Sequence, residues 1–484
     1  MPERTLQSIN HSYRIKVLPG PSPELYNPDS LPESGARLYR AFTESAYLTG
    51  HMKSRFFFLV PILFLLLGCG NPDRELADQK KELQQLRILF DQKEFFQLRS
   101  YYDGDSGESN GTARRYQQAL THTVFNQPGR ANALFDSLLA DNGGLLNNLM
   151  KRQILAAKIT NYVKLFEYGK ALSTGQQLLH FYGRSLEAEE ASDLENELKI
   201  WAALKDVGKQ IVSKTGPSAI PFEIDKAGLK NIEVRFPGDA SSQMVFDTGA
   251  NFSTVKRSLA QELGFRIIPS GFEVGTLTGT RVNSDIAVAD RLQIGEMTFR
   301  NVVFLVFDDQ DLHFPPIDYQ IHGIIGLPVI EAMGEIRLSN ALLTVPLDTG
   351  TPEDINLALD GFNPLVLVRH GEDEFLFGLD TGANTTSLFH PFYEHNREEM
   401  DARYQKDSVT LYGAGGRMRM EGFNDVSVRL AVGDAPPVQL DSLQLITTDY
   451  NSRLEGIYGN LGQDFTSRFE QLIINFQVPY IKFR

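Results

Sequence analysis

Hydrophobic positions change their rhythm once along this chain of 484 residues. From about Pro72 to Lys214, Leu, Ala and Phe recur at the three- and four-residue spacing of helix faces among Gln, Glu and Lys, with few β-branched runs. The pattern predicts an all-helical region with junctions at Gln92-Lys93-Glu94-Phe95, at Asn126-Gln127-Pro128-Gly129-Arg130-Ala131 and at Phe166-Glu167-Tyr168-Gly169-Lys170-Ala171. After Gly216-Pro217 the apolar residues gather instead into short strand-like runs between Gly, Asp and Asn turns: Ile232 to Phe236, Ala287 to Ala289, Val302 to Phe307, Leu365 to Val368 and Val426 to Val432. A domain boundary is expected near residue 215.

A third pattern lies near the start. Phe56 to Leu67 is apolar but only 12 residues long and contains Pro61; a helix crossing a bilayer needs about 20. With Lys53 and Arg55 before it and Gly68 ahead of Cys69, it reads as a signal-peptide core over 52–68. The end of that core resembles a bacterial lipobox, which implies a lipidated Cys69, the chain's sole cysteine, and a cell-envelope protein anchored to a membrane. Gly70 rather than Asp after it implies the outer membrane, facing the periplasm. Residues 1–51, with six prolines and no apolar periodicity, read as disordered sequence or as sequence upstream of a true start at Met52.

The helical junctions fall 35 and 40 residues apart, counted from Phe95 to Arg130 to Lys170. This is similar to tetratricopeptide repeats in degenerate form, over 72–214, and implies a surface for a protein partner. An irregular helical bundle fits the same spacings equally well.

The strand-rich part is an internal duplication. Asp247-Thr248-Gly249-Ala250-Asn251 returns letter for letter as Asp380-Thr381-Gly382-Ala383-Asn384, and the offset of 133 residues also carries Ile232 onto Leu365. Downstream, Gly323-Ile324-Ile325-Gly326 is answered by Gly459-Asn460-Leu461-Gly462, 79 and 82 residues after the respective aspartates; Gly456 to Gly459 is a second register at 79. Two halves of similar length follow, 220–350 and 355–484, with one aspartate in each. Two carboxyl groups a few Å apart cannot both ionise, so a pair at one site supplies a base and an acid together.

Asp-Thr-Gly followed by Ala resembles the active-site triplet of retropepsin-like aspartic proteases. The resemblance implies an all-β bilobal enzyme of two retropepsin-like barrel lobes, with Asp247 and Asp380 catalytic, and an endopeptidase activity on polypeptides through water held between them. Thr248 and Thr381 are then expected to bond across to the opposite loop, and Gly249 and Gly382 to let the loops approach closely. Ile324, Ile325 and Gly326 match the family's apolar pair before a glycine; Leu461 and Gly462 match it in part, because Asn460 replaces one apolar residue, while Asp464-Phe465 fits the family's continuation. Because both halves lie on one chain, no dimer is required. Flap candidates are Thr276 and Gly279 in the first lobe, and Tyr412 and Gly413 in the second. No cofactor or metal is expected.

Other signals point elsewhere. Asp348-Thr349-Gly350 lies too near Asp380 to head its own lobe and reads as a turn, while Asp308, Asp309, Asp311 and His313 lack calcium-loop or zinc-helix spacing and read as a solvated loop. A net charge of −14 argues against nucleic-acid binding. The alternatives to a peptidase are a protease-like fold that binds peptides without cutting them, and a scaffold whose helical repeats carry the biology.

Overall fold

The computed structural model describes residues 72–103, 111–141, 144–275, 281–314, 318–349, 354–413, 416–449 and 454–484. Residues 1–51, the signal core 52–68 and Cys69 lie outside them. No helix among the described residues is long and apolar enough to cross a membrane.

Seven helices come first: α1 (Pro72–Asp91), α2 (Phe95–Ser100), α3 (Gly111–Val124), α4 (Pro128–Ala140), α5 (Asn148–Lys164), α6 (Tyr168–Tyr182) and α7 (Ala188–Leu204). Their ends follow local chemistry. Asn147 caps α5 by accepting from the Met150 N–H, Pro128 opens α4 where its missing N–H costs nothing, and Glu187 and Glu190 form a capping box on α7.

The three expected junctions share one turn. Lys93, Asn126 and Phe166 take positive φ, and the next N–H of each bonds back to Leu89, His122 and Tyr162 carbonyls in turn, the six-residue closure of a Schellman motif. Non-glycine residues adopt this backbone at a cost of about 1 kcal/mol each. Two of the side chains offset it by touching the strand-rich part: Lys93 pairs with Asp360 at 2.9 Å and Asn126 donates to the Phe476 carbonyl at 2.7 Å, while Phe166 packs edge-on against Tyr168 in the main core. The first two hairpin tips thus dock on the strand-rich part.

Strand begins earlier than residue 215. Ile211–Lys214, expected to be helical, pairs antiparallel with Met297–Phe307, because its alternating exposure suits a sheet edge rather than a helix face. It opens a nine-stranded sheet in which Ser241–Phe246, leading to the first aspartate, lies beside Gly323–Ile325. An eight-stranded sheet places Asp373–Leu379, leading to the second, beside Gly459–Leu461. Each sheet curls back through an extra pairing, between Arg281–Ile294 and Met297–Phe307 in one and between Asn363–His370 and Gly416–Val432 in the other.

A cut between 350 and 355 does not separate the two halves. A five-stranded sheet runs Ser218–Pro221, Leu342–Val345, Glu335–Leu338, Leu472–Asn475, Tyr480–Phe483, so its last two strands come from the far end of the chain. Glu335, which pairs with Asn475, is buried there and is held by the Arg337 guanidinium (2.7 Å), the Tyr480 hydroxyl (2.9 Å) and Asn475 Nδ2 (3.2 Å).

Candidate active site

Each aspartate ends a buried strand held in place by a second strand. Val245 and Phe246 lie parallel to Ile324 and Ile325, and the Asp247 N–H donates to the Ile325 carbonyl at 3.1 Å. In the second half Gly378 and Leu379 lie parallel to Asn460 and Leu461, and the Asp380 N–H donates to the Leu461 carbonyl at 3.0 Å. On their other edges Ile324 pairs with Thr254 and Asn460 with Ser387, again offset by 133. This equivalence selects the register in which Gly459-Asn460-Leu461-Gly462 answers Gly323 to Gly326. Gly326 and Gly462 are both required: a Cβ on either would stand 2.6 Å from backbone carbon of Phe252 or Thr385 respectively.

The two loops interlock through their threonines. Thr248 N–H donates to Thr381 Oγ1 at 3.0 Å, and that hydroxyl donates to the Phe246 carbonyl at 3.0 Å. In the mirrored pair, Thr381 N–H donates to Thr248 Oγ1 at 3.0 Å, and that hydroxyl donates to the Leu379 carbonyl at 2.9 Å. Four bonds therefore tie two strands that are 133 residues apart.

Beside this junction the carboxyl groups meet. Gly249 N–H donates to Asp247 Oδ1 at 2.7 Å and Gly382 N–H to Asp380 Oδ1 at 2.9 Å. Each glycine faces the opposite aspartate: a Cβ on Gly249 would sit 2.6 Å from Asp380 Cγ, and one on Gly382 would press still closer on Asp247 Cγ. Both aspartates are buried. Burial first, and then the charge of Asp380, push the Asp247 carboxyl well above the ordinary carboxylate range. With both groups ionised Asp247 Oδ2 has no partner, whereas one shared proton lets the two carboxyls bond to each other.

With this geometry in view, the sequence was compared with known proteins. Residues 232–329 match the model of a family described as aspartyl protease. This stretch of the chain is thus similar to aspartyl proteases. The matched stretch takes in Asp247 and Gly326, and Asp380 lies beyond it. Among solved structures, the chain is similar to a retropepsin-like aspartic protease from Rickettsia conorii at 20% identity, over 28% of this chain and 95% of that one; the TM-score of 0.19 is too low to carry an argument. A comparison with curated proteins found no match.

Thr276 and Gly279 lie outside the described residues. Tyr412 and Gly413 end the strand Asp407–Gly413, opposite Arg417 and Gly416 in a hairpin. Asp348 is exposed in the turn after Leu342–Val345. Asp308 pairs with Arg257 at 2.7 Å and Asp309 accepts the Ser258 N–H at 3.0 Å, so both serve the start of the short helix Arg257–Glu262. Among the described residues no group of three or more His, Cys, Asp or Glu could hold a metal ion.

Two contacts were not anticipated. Asn460 Nδ2 donates to Asp380 Oδ2 at 2.8 Å, and Gln463 Nε2 donates to the Thr381 carbonyl at 3.0 Å. The first had a visible signal, the single polar residue in an otherwise apolar pair. The second had none.

Proposed function

We propose that this protein is an aspartic endopeptidase of two retropepsin-like lobes, cutting peptide bonds with water activated between Asp247 and Asp380. The observation that carries the reading is the meeting of two buried carboxyls from separate copies of one motif, each against the other's glycine. In the proposed cycle the ionised carboxylate takes a proton from water as the water oxygen adds to the scissile carbonyl carbon. The protonated partner gives its proton to the carbonyl oxygen. The threonine bonds keep the carboxyls in register, so little reorganisation accompanies the step. Because both groups are buried, an extended substrate needs the segments over them to move aside.

The test is cleavage of mixed unfolded polypeptides by the mature protein from acid to neutral pH, with and without an acyl-statine inhibitor. Inhibitor-sensitive cleavage that is lost in both Asp247→Asn and Asp380→Asn, and kept in Asp348→Asn, is the expected result. Full activity in either dyad variant removes the reading, and peptide binding without cleavage would favour a capture protein instead.

The helical region is read as a degenerate tetratricopeptide-like platform for a protein partner. The chain is read as anchored through a lipid on Cys69, facing the periplasm. Metabolic labelling with a fatty-acid analogue tests the anchor: incorporation should vanish in Cys69→Ser, and labelling that survives this change removes it.

A further inference from the structure

The two halves differ at one position beside the dyad. Where the first places Ile324 between Val245 and Thr254, the second places Asn460 between Gly378 and Ser387. Ile324 has no hydrogen-bonding side chain, whereas Asn460 is buried and donates through Nδ2 to Asp380 Oδ2 at 2.8 Å. We propose that Asn460 is a positioning residue that makes the two aspartates inequivalent: it holds Asp380 as the ionised member of the pair and leaves the shared proton on Asp247. The catalytic consequence rests on the peptidase reading above; the hydrogen-bond asymmetry does not.

An amide nitrogen can only donate, and a donor stabilises a carboxylate more than a carboxylic acid. Asp380 accepts at both oxygens, from Gly382 N–H and from Asn460. Asp247 accepts from Gly249 N–H at Oδ1, and the Ala250 N–H also favours its charged form, but its Oδ2 has no donor. An oxygen without a donor in a buried site is the one suited to carry a proton itself and to donate it. The titratable group against Asp380 is Asp247 across the junction; the acidic residue nearest Asn460 in sequence, Asp464 in the short helix after Gly462, is otherwise engaged. The Asp464 carboxyl is taken up by Thr386 N–H (2.8 Å), Thr386 Oγ1 (2.7 Å) and Phe465 N–H (2.9 Å).

The roles in the reaction then follow. Asp380 takes the proton from water as the C–O bond forms, and Asp247 passes its proton to the carbonyl oxygen. A tetrahedral diol results, and the pair keeps one negative charge throughout.

The test uses the mature protein and two variants, Asn460→Leu, which restores an apolar residue like Ile324, and Asn460→Asp, which is isosteric. In Asn460→Leu the acid limb of the kcat/KM profile should move up by about one pH unit. The alkaline limb should stay, because Asp380 is ionised on both sides of that step. In Asn460→Asp a protonated carboxyl can donate from the same place, so cleavage should persist in acid and fail earlier than wild type as pH rises. Melting temperatures supply a readout that needs no activity: the gap between wild type and Asn460→Leu should widen as pH rises through the first ionisation of the dyad and close below it. An unmoved acid limb, or a gap independent of pH, overturns the proposal. Should Asn460→Leu not fold, a wild-type profile for Asn460→Asp up to neutral pH overturns it. If wild type cuts nothing while the gap follows pH, the asymmetry stands and the peptidase reading falls.

Discussion

Asn196 in α7 grips the backbone of Glu273 at both polar atoms, donating through Nδ2 to its carbonyl at 2.6 Å and accepting through Oδ1 from its N–H at 2.9 Å. Glu273 lies in Arg266–Gly275, the last strand of the nine-stranded sheet, so this side chain occupies an edge that would otherwise be open to another strand. The strand leads directly to the first flap candidates.

Asn196→Ala should free that edge. Both bonds are exposed, so the global cost is expected to be small, about 1 kcal/mol. Amide exchange at Glu273 should nevertheless accelerate strongly, and hydrogen-exchange mass spectrometry on peptides spanning 266–275 reads it. Unchanged exchange there would mean that the strand is held by other contacts.

Asp247 should make the protein less stable as pH rises. Unfolded aspartate loses its proton near pH 3.9, while the folded group, raised by burial and by Asp380, keeps it. Between those two points the folded chain binds one more proton, so stability falls by about 1.4 kcal/mol per pH unit. Asp247→Asn has no such proton to lose. Its melting temperature should exceed wild type near pH 7, with the gap closing below about pH 4; parallel curves would contradict the raised Asp247.

Gly249→Ala and Gly382→Ala should each abolish cleavage and destabilise by about 1–3 kcal/mol, because the added methyl runs into the opposite carboxyl. Gly129→Ala is the control. A Cβ there meets nothing within 4 Å, and its melting temperature should match wild type.

Lys164 and Glu331 should respond unequally to loss of the partner. Lys164 Nζ lies 3.6 Å from Glu331 and 3.2 Å from the Gly361 carbonyl, with its side chain 1% exposed against 19% for Glu331. Burial holds the Lys164 ammonium below its usual range, opposed by Glu331. Glu331→Gln strands a buried cation and should cost about 3 kcal/mol, while Lys164→Met leaves an acid whose side chain is partly exposed and should cost less. Urea unfolding of both variants gives the comparison.

The duplicated motif was legible because side-chain spacing around it is preserved across 133 residues, down to the strands beside each aspartate. The helical junctions were legible from their turn residues. Ile211–Lys214 was not, since four residues at the end of a helical composition carry too little periodicity to mark a strand. Nor was the five-stranded sheet: Leu472–Asn475 is uniformly apolar, and such a run does not name its partner. Asn460 was visible only as a flaw in a pattern, since sequence shows that a polar residue stands there but not the carboxylate 2.8 Å away.

The shared five-stranded sheet also sets a timetable. Glu335 is held in part by Asn475 and Tyr480, which follow it by 140 and 145 residues. Until they arrive, Glu335–Leu338 lacks its neighbour Leu472–Asn475, and a carboxylate made for burial lacks two of its donors. Both aspartates are thus on the chain before the sheet that joins the two halves can close. A chain stopped short of Leu472 would carry the paired loops without the strands that hold the halves together.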